Sequence, residues 1–202
     1  FALLVGILVL TGFARTVFIP LANRRFSAPW FVYLHGTLFL SWVALLVLQS
    51  LLVATRHVSW HRRLGPIGIG LVPVMVASGL AVAVWATARD VRAGQGDGAV
   101  ALFFGELMDM ALFAALGAAA LLTRRRPEVH KRLIALATFA RLGAAVGRIR
   151  IIGKASNLVT FLLLAALAGR DLLRLGRVHA ATILGGLVLV GIGLKILLDH
   201  LL

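Results

Sequence analysis

Three histidines of the chain stand where a connector rich in arginine and lysine gives way to an apolar run. They are His61 in "HVSWHRRLGPIG", His130 in "RRRPEVHKRL" and His179 in "RLGRVHAATILGG". Neutral imidazole is the commonest protein ligand of metal ions, and two imidazoles on facing helices can hold a haem iron from both sides. Histidine is also typical of helix ends at a membrane surface, where it tolerates the interface as arginine and tryptophan do. The residues alone leave both interpretations open.

The composition indicates a membrane protein. Hydrophobic residues make up 61% of the 202 residues and the mean hydropathy is +1.00, whereas roughly 45 to 50% is usual for soluble domains. The net charge of +14 lies mostly in short connectors, so we expect anionic lipid headgroups rather than nucleic acid as its partner. Cysteine is absent, so any metal would be bound by His, Asp or Glu.

The apolar runs predict an all-α fold, a polytopic transmembrane helical bundle of six to seven spans in one domain, residues 1–202. The fifth run contains Arg141 and Arg148, and the sixth has a short uninterrupted apolar stretch, so tilted or re-entrant helices are an alternative there. The seven runs are, approximately, residues 1–20, 30–54, 64–88, 99–123, 130–149, 155–173 and 178–199.

The cations in the connectors predict an orientation. Eleven Lys and Arg residues lie in or next to the connectors after the second, fourth and sixth runs, against eight in or next to the other connectors. The positive-inside rule places the richer face in the cytoplasm, together with the N-terminal end of the chain. We therefore expect a multi-pass protein of the bacterial inner membrane, in which His61, His130 and His179 begin three spans at one membrane level.

Several ionisable residues fall inside the predicted spans. His35 lies roughly 7 Å deep in the second run at ~1.5 Å per residue, and Glu106 and Asp109 are neighbours on one helical face. A charge in hydrocarbon costs at least ~2.5 kcal/mol, so we expect pairing, either as a proton or anion site or as structural ion pairs. The predicted buried charge layer comprises Glu106, Asp109, Arg141, Arg148 and Lys195, with Asp109 paired to Arg141, and Glu106 to Arg148 or Lys195.

Two of the histidine-led stretches carry a resemblance to known families. "HRRLGPIGIGLVPVMVASGL" (61–80) and "HKRLIALATFARLGAAVGRI" (130–149) resemble uncharacterised bacterial membrane families in which His-Arg or His-Lys opens a span. More distantly, they are similar to di-haem b-type cytochromes of the ascorbate-dependent transmembrane reductase superfamily. The resemblance covers about residues 30–150.

The resemblance implies haem b as cofactor. His61 and His130 match ligand positions, His179 is a substitute for either, and His35 matches the early histidine of the first core helix. The di-haem pattern has four histidines on four consecutive helices, whereas the fourth span here has none, so the resemblance implies one haem at most.

Three functional hypotheses follow. The first is a protein that binds one b-type haem and passes electrons to or from a quinone or a partner membrane subunit. The second is a haem-free transporter, sensor or assembly subunit that uses the buried charge layer. The third is a non-haem metal enzyme that uses His61, His130 and His179. In the first, the cations that could pair with haem propionates are Arg62, Arg63, Lys131 and Arg132.

Overall fold

The computed structural model describes residues 1–152 and 156–199, with side chains described up to residue 191. The described residues form helices, turns and connectors, with no strand among them, so the all-α prediction is confirmed. The helices are α1 (Ala2–Phe13), α2 (Ile19–Ala22), α3 (Trp30–Ala54), α4 (Val58–Arg92), α5 (Gly96–Leu122), α6 (Pro127–Ala140), α7 (Gly143–Val146), α8 (Ser156–Leu175) and α9 (Ala180–Asp199), and a π-helical turn, Ala14–Phe18, joins α1 to α2.

Among the described residues, four helical segments are long and apolar enough to cross a membrane: Ala2–Ala22, Trp30–Ala54, Val58–Arg92 and Gly96–Leu122. Each reaches the ~20 residues that the hydrocarbon layer requires. Large apolar side chains on these helices are exposed, as contact with lipid demands. The prediction of a membrane-embedded helical protein is confirmed at this level.

The predicted run 130–149 is not one continuous helix. α6 ends at Ala140, and the four-residue α7 follows after a break at Arg141 and Leu142. The 14 residues of α6 rise only about 21 Å at ~1.5 Å per residue, less than the ~30 Å hydrocarbon core. The number of crossings beyond four therefore stays a prediction.

Contacts divide the chain into two compact units, Phe1–Leu107 and Met108–Leu202. In the first unit, α3 and α4 pack as a hairpin around Phe39, Trp42 and Met75, all of which are buried. The ring of Phe13 meets Phe39 edge to face, with centroids 6.2 Å apart, and this contact holds the first helix to the hairpin. The division does not test the single-domain prediction.

The core of the second unit forms where α6 packs against α8 and α9. Leu136 and Phe139 of α6 and Leu167 of α8 are almost completely buried. Gly185 permits a close approach of α9 to α6, because a Cβ at this position would lie 2.6 Å from Cδ1 of Leu136. Small residues at helix contacts commonly have this role in membrane proteins.

Two local signals fix the helix ends at which the charged residues of this unit lie. Pro127 occupies the first turn of α6, where its missing N–H costs no intrahelical hydrogen bond. α8 is followed by Gly176, whose φ of +66° is the left-handed conformation that ends many helices. The chain then turns within a few residues into α9.

Candidate anion-binding site

A buried ion pair joins α6 to α8. Nε of Arg132 donates hydrogen bonds to both carboxylate oxygens of Asp171 at 3.0 Å, and Nη2 donates to Oδ1. Arg132 is 3% exposed and Asp171 is 2% exposed. Charge-assisted, multiply bonded pairs of this kind are among the strong hydrogen bonds of proteins. Burying either charge without the other would cost folding free energy, so the pair holds α6 against α8.

The same carboxylate holds the start of α9. Oδ2 of Asp171 accepts hydrogen bonds from the backbone N–H of His179 at 3.2 Å and from the hydroxyl of Thr182 at 2.6 Å. The N-terminus of a helix carries the positive end of its dipole and has unsatisfied N–H groups, so a carboxylate is stabilising there. Asp171 is therefore the junction of three helices.

Glu128 extends the network to the surface. Nη1 of Arg132 donates to the backbone carbonyl of Glu128 at 2.6 Å and to its Oε2 at 2.7 Å. Nζ of Lys131 donates to Oε1 of Glu128 at 2.6 Å. Hydrogen bonds from Arg132 and then Lys131 lower the pKa of Glu128 to about 2.

Asp171 also stays ionised. Hydrogen bonds from Arg132, from the hydroxyl of Thr182 and from the backbone N–H of His179 stabilise the ionised form of its carboxylate. Both carboxylates of the network are therefore negative at neutral pH, where they neutralise Arg132 and Lys131.

A cleft of about 240 Å³ opens beside this network. Four cations and two carboxylates line it, which leaves a net charge of +2. An excess of cations within a concave surface favours an anionic ligand, because it raises the local concentration of that ligand. The lining residues are Glu128, Lys131, Arg132, Arg170, Asp171, Arg174 and Leu175.

Two arginines supply the excess charge. Arg170 and Arg174 are four residues apart on α8 and are thus neighbours on one face of the helix. Arg170 is half-buried and Arg174 is exposed. Neither forms an ion pair with any other residue in the part of the chain that the structure describes. Their guanidinium groups present planar sets of donors suited to an oxyanion such as phosphate.

His130, one of the predicted ligands, has a defined hydrogen bond. Its Nδ1 lies 2.7 Å from the backbone carbonyl of Ala120, and since a carbonyl only accepts, Nδ1 carries the proton. In the neutral ring, Nε2 then keeps its lone pair. Metal-ligating histidines commonly have this arrangement, in which the second nitrogen donates to a carbonyl.

His179 has a structural role that the sequence did not reveal. It directly precedes α9, and its Nδ1 accepts a hydrogen bond from the N–H of Ala181 at 3.1 Å, as helix-capping side chains do. In the neutral ring the proton therefore lies on Nε2. Binding a metal through His179 would require a change of tautomer or the loss of this cap.

In the first unit, His35 and His61 lie far apart along the α3–α4 hairpin. Nδ1 of His35 is 3.0 Å from Oγ of Ser78, and Ser78 donates to the carbonyl of Met75, so His35 donates to Ser78. His61 lies in the first turns of α4, about 25 Å before Ser78 at ~1.5 Å per residue. These two histidines cannot bind the same iron.

No group of three or more His, Asp or Glu side chains among the described residues is placed to hold a metal ion. The assignment of His61, His130 and His179 as metal or haem ligands stays a prediction, as does that of His35.

The predicted buried charge layer also stays a prediction. Glu106 and Asp109 are half-buried on α5, and Arg141 is half-buried directly after α6. Arg148 is exposed, and its Nη1 donates to the backbone carbonyl of Ala144. The side chain of Lys195 lies outside the described residues.

The sequence-based prediction missed Asp171 and its pairing with Arg132. Arg132 was named among the cations that could pair with haem propionates, and in the structure its guanidinium group is buried and bound to Asp171 and Glu128. Asp171 continues the buried face of α8 formed by Leu164 and Leu167, at helical spacing. The signal in the sequence that could have revealed this ion pair was an aspartate at a buried position of this face of α8.

The comparisons with known proteins give no relative of this chain. No family model matches it, and no match was found among curated proteins or solved structures. The resemblance to haem b cytochromes therefore stays a prediction.

Proposed function

We propose that the chain is a haem-free, multi-pass protein of the bacterial inner membrane that binds an anionic ligand, as a transporter, sensor or assembly subunit would. The observation that carries this proposal is the pair Arg170 and Arg174, which line a cleft of net positive charge and have no ion-pair partner among the described residues. The carboxylates nearby are already neutralised by Arg132 and Lys131.

The proposed topology retains the cytoplasmic N-terminal end and the four long apolar helices as spans. α6 and α7 together form a re-entrant or tilted segment, since α6 alone is shorter than the hydrocarbon core. The excess of Lys and Arg in the connector after α5 supports a cytoplasmic location for that connector.

Direct titration of inorganic phosphate into the full chain, purified in non-ionic detergent, tests the proposal. We expect saturable binding to the wild type and at least a tenfold weaker affinity for the double variant R170Q/R174Q. The matched control is R124Q/R125Q, which removes the same charge from the exposed connector before α6 and should bind as the wild type does. Equal affinity in all three proteins would contradict the proposal.

A second candidate function is binding of one haem, and the geometry of His130 favours it. Its Nδ1–H is donated to the Ala120 carbonyl, so Nε2 is available as an axial ligand in the neutral ring. Electron transfer to or from a quinone or partner subunit would follow from such a centre.

A visible absorption spectrum separates the two candidates. Haem binding predicts a Soret band that is lost in H130A and kept in H57A, because His57 is exposed and its Nδ1 lies 2.9 Å from the hydroxyl of Thr55. A colourless preparation that still binds phosphate supports the anion site alone.

A further inference from the structure

The cleft has apolar residues beside its cationic ones. Leu175 lines it directly, and Leu172, three residues earlier and therefore its neighbour on the helix surface, is 52% exposed. A small inorganic anion would make no use of these side chains. An amphiphile would bring an acyl chain to the leucines and an anionic group to the arginines.

We propose that the ligand of this cleft is a membrane lipid with a phosphomonoester headgroup. The inference rests on the proposed anion site and names its occupant. A phosphomonoester carries about −1.5 to −2 charges at pH 7 and three strong acceptor oxygens, which matches the net charge of +2 in the cleft. A phosphodiester headgroup with one negative charge would leave part of this charge unbalanced.

Each donor has a defined place in the site. Arg170 and Arg174 present two guanidinium groups from one face of α8. Lys131 faces the cleft from α6 and uses one of its three N–H donors on Glu128. Arg132 stays bound to Asp171 and supports the cleft wall.

Solvated arginines at a helix end would behave differently. They attract every anionic headgroup through unspecific electrostatics, with about 1 kcal/mol per cation, whichever cations are present. A phosphomonoester preference that is lost in R170Q/R174Q and kept in the charge-matched R124Q/R125Q therefore distinguishes a site built by these two arginines from a basic surface.

The experiment is calorimetric titration of the full chain in non-ionic detergent with three probes: dihexanoyl phosphatidic acid, dihexanoyl phosphatidylglycerol and inorganic phosphate. We expect the phosphatidic acid to bind at least tenfold more tightly than either of the others. R170Q/R174Q should weaken phosphatidic acid and phosphate together. L172S/L175S should weaken the binding of phosphatidic acid alone, because both leucines are partly exposed and the guanidinium groups are retained.

The other outcomes have separate meanings. If inorganic phosphate binds as tightly as phosphatidic acid, the anion site stands and the lipid proposal is overturned. If phosphatidylglycerol matches phosphatidic acid, the phosphomonoester assignment is overturned. If no probe binds, the lipid proposal and the anion site are both overturned.

Discussion

At the scale of single residues, the charges that line the cleft divide into two groups with different roles. Arg132 and Asp171 are buried and bind each other, and Glu128 and Lys131 complete their hydrogen bonds. Arg170 and Arg174 have no such partner among the described side chains. The first group stabilises the junction of α6, α8 and α9, and the second is available to a ligand.

Replacing Asp171 by Leu should destabilise the protein by about 3 to 5 kcal/mol, because the buried charge of Arg132 loses its main counter-ion. The variant T182V removes one hydrogen bond to the same carboxylate and should cost only about 1 kcal/mol. The measurement is denaturant unfolding in mixed micelles. The double variant R132M/D171L removes both charges and should recover most of the lost stability, and its failure to do so would contradict the assigned role of the pair.

The lowered pKa of Glu128 predicts that the stability of the folded state depends on pH. Its value of about 2 lies below its ordinary 4.5, so ionised Glu128 stabilises the folded state above pH 4.5, and this contribution is lost as the pH falls through 2. The effect is small because Glu128 is half exposed. Thermal midpoints measured from pH 7 to 2 should fall more steeply for the wild type than for E128Q. Parallel curves would contradict the prediction.

The sequence predicted residue types better than residue partners. It predicted His130 to be a haem or metal ligand, which stays a prediction, and the structure shows a hydrogen bond from its Nδ1 to the Ala120 carbonyl. It could not identify Asp171 as the partner of Arg132, because these residues are far apart in the chain and meet only after α6 and α8 have packed. Pairing of this kind depends on tertiary contact, which hydropathy and spacing do not describe.

At the scale of elements, the contact between α6 and α9 depends on one small residue. G185A should destabilise the second unit by about 1 to 3 kcal/mol, since its Cβ would press on the fully buried Leu136. The matched control is G186A, whose Cβ would meet Leu164 at an ordinary 3.9 Å. Unfolding of the two variants in mixed micelles checks the prediction, and equal stability would contradict the close approach.

The long helices could be predicted, whereas for the fifth run the sequence left a full span and a tilted or re-entrant helix open. Four apolar runs correspond to helices long enough to span a membrane, because length and hydropathy are sufficient evidence for a helix in lipid. The run 130–149 contains four Lys and Arg residues, and its first helix ends at Ala140, directly before Arg141. Leu142 and Val146, which follow the break, are completely buried in the second unit.

At the scale of the whole molecule, α4 shows how the chain is matched to a bilayer. The uncharged run 64–88 rises about 37 Å at ~1.5 Å per residue, somewhat more than the ~30 Å hydrocarbon core, which tilting accommodates. Near its two ends, Arg63 lies 5.3 Å from the ring of Trp60 and Arg89 lies 5.0 Å from the ring of Trp85. Tryptophan and arginine are typical anchors at membrane interfaces.

Cysteines introduced one at a time can test the position of α4 in the membrane, because the chain has no cysteine of its own. With a membrane-impermeant maleimide added to intact cells, Q95C should react, since Gln95 is exposed in the connector after α4 and the proposed topology has that connector outside. V74C, partly exposed in the middle of α4, should react only after denaturation. R125C should react only after the membrane is opened. Equal labelling of V74C and Q95C in intact cells would contradict the span.

The most direct test of the account is the thermal midpoint of the full chain in chloride and in phosphate at equal ionic strength. A ligand at ten times its Kd stabilises the folded state by about 1.4 kcal/mol. We predict that the thermal midpoints of the wild type and of R124Q/R125Q are higher in phosphate than in chloride. R170Q/R174Q should have the same midpoint as the wild type in chloride and no higher midpoint in phosphate. A phosphate-dependent rise that persists in R170Q/R174Q would contradict the assignment of these two arginines to the ligand.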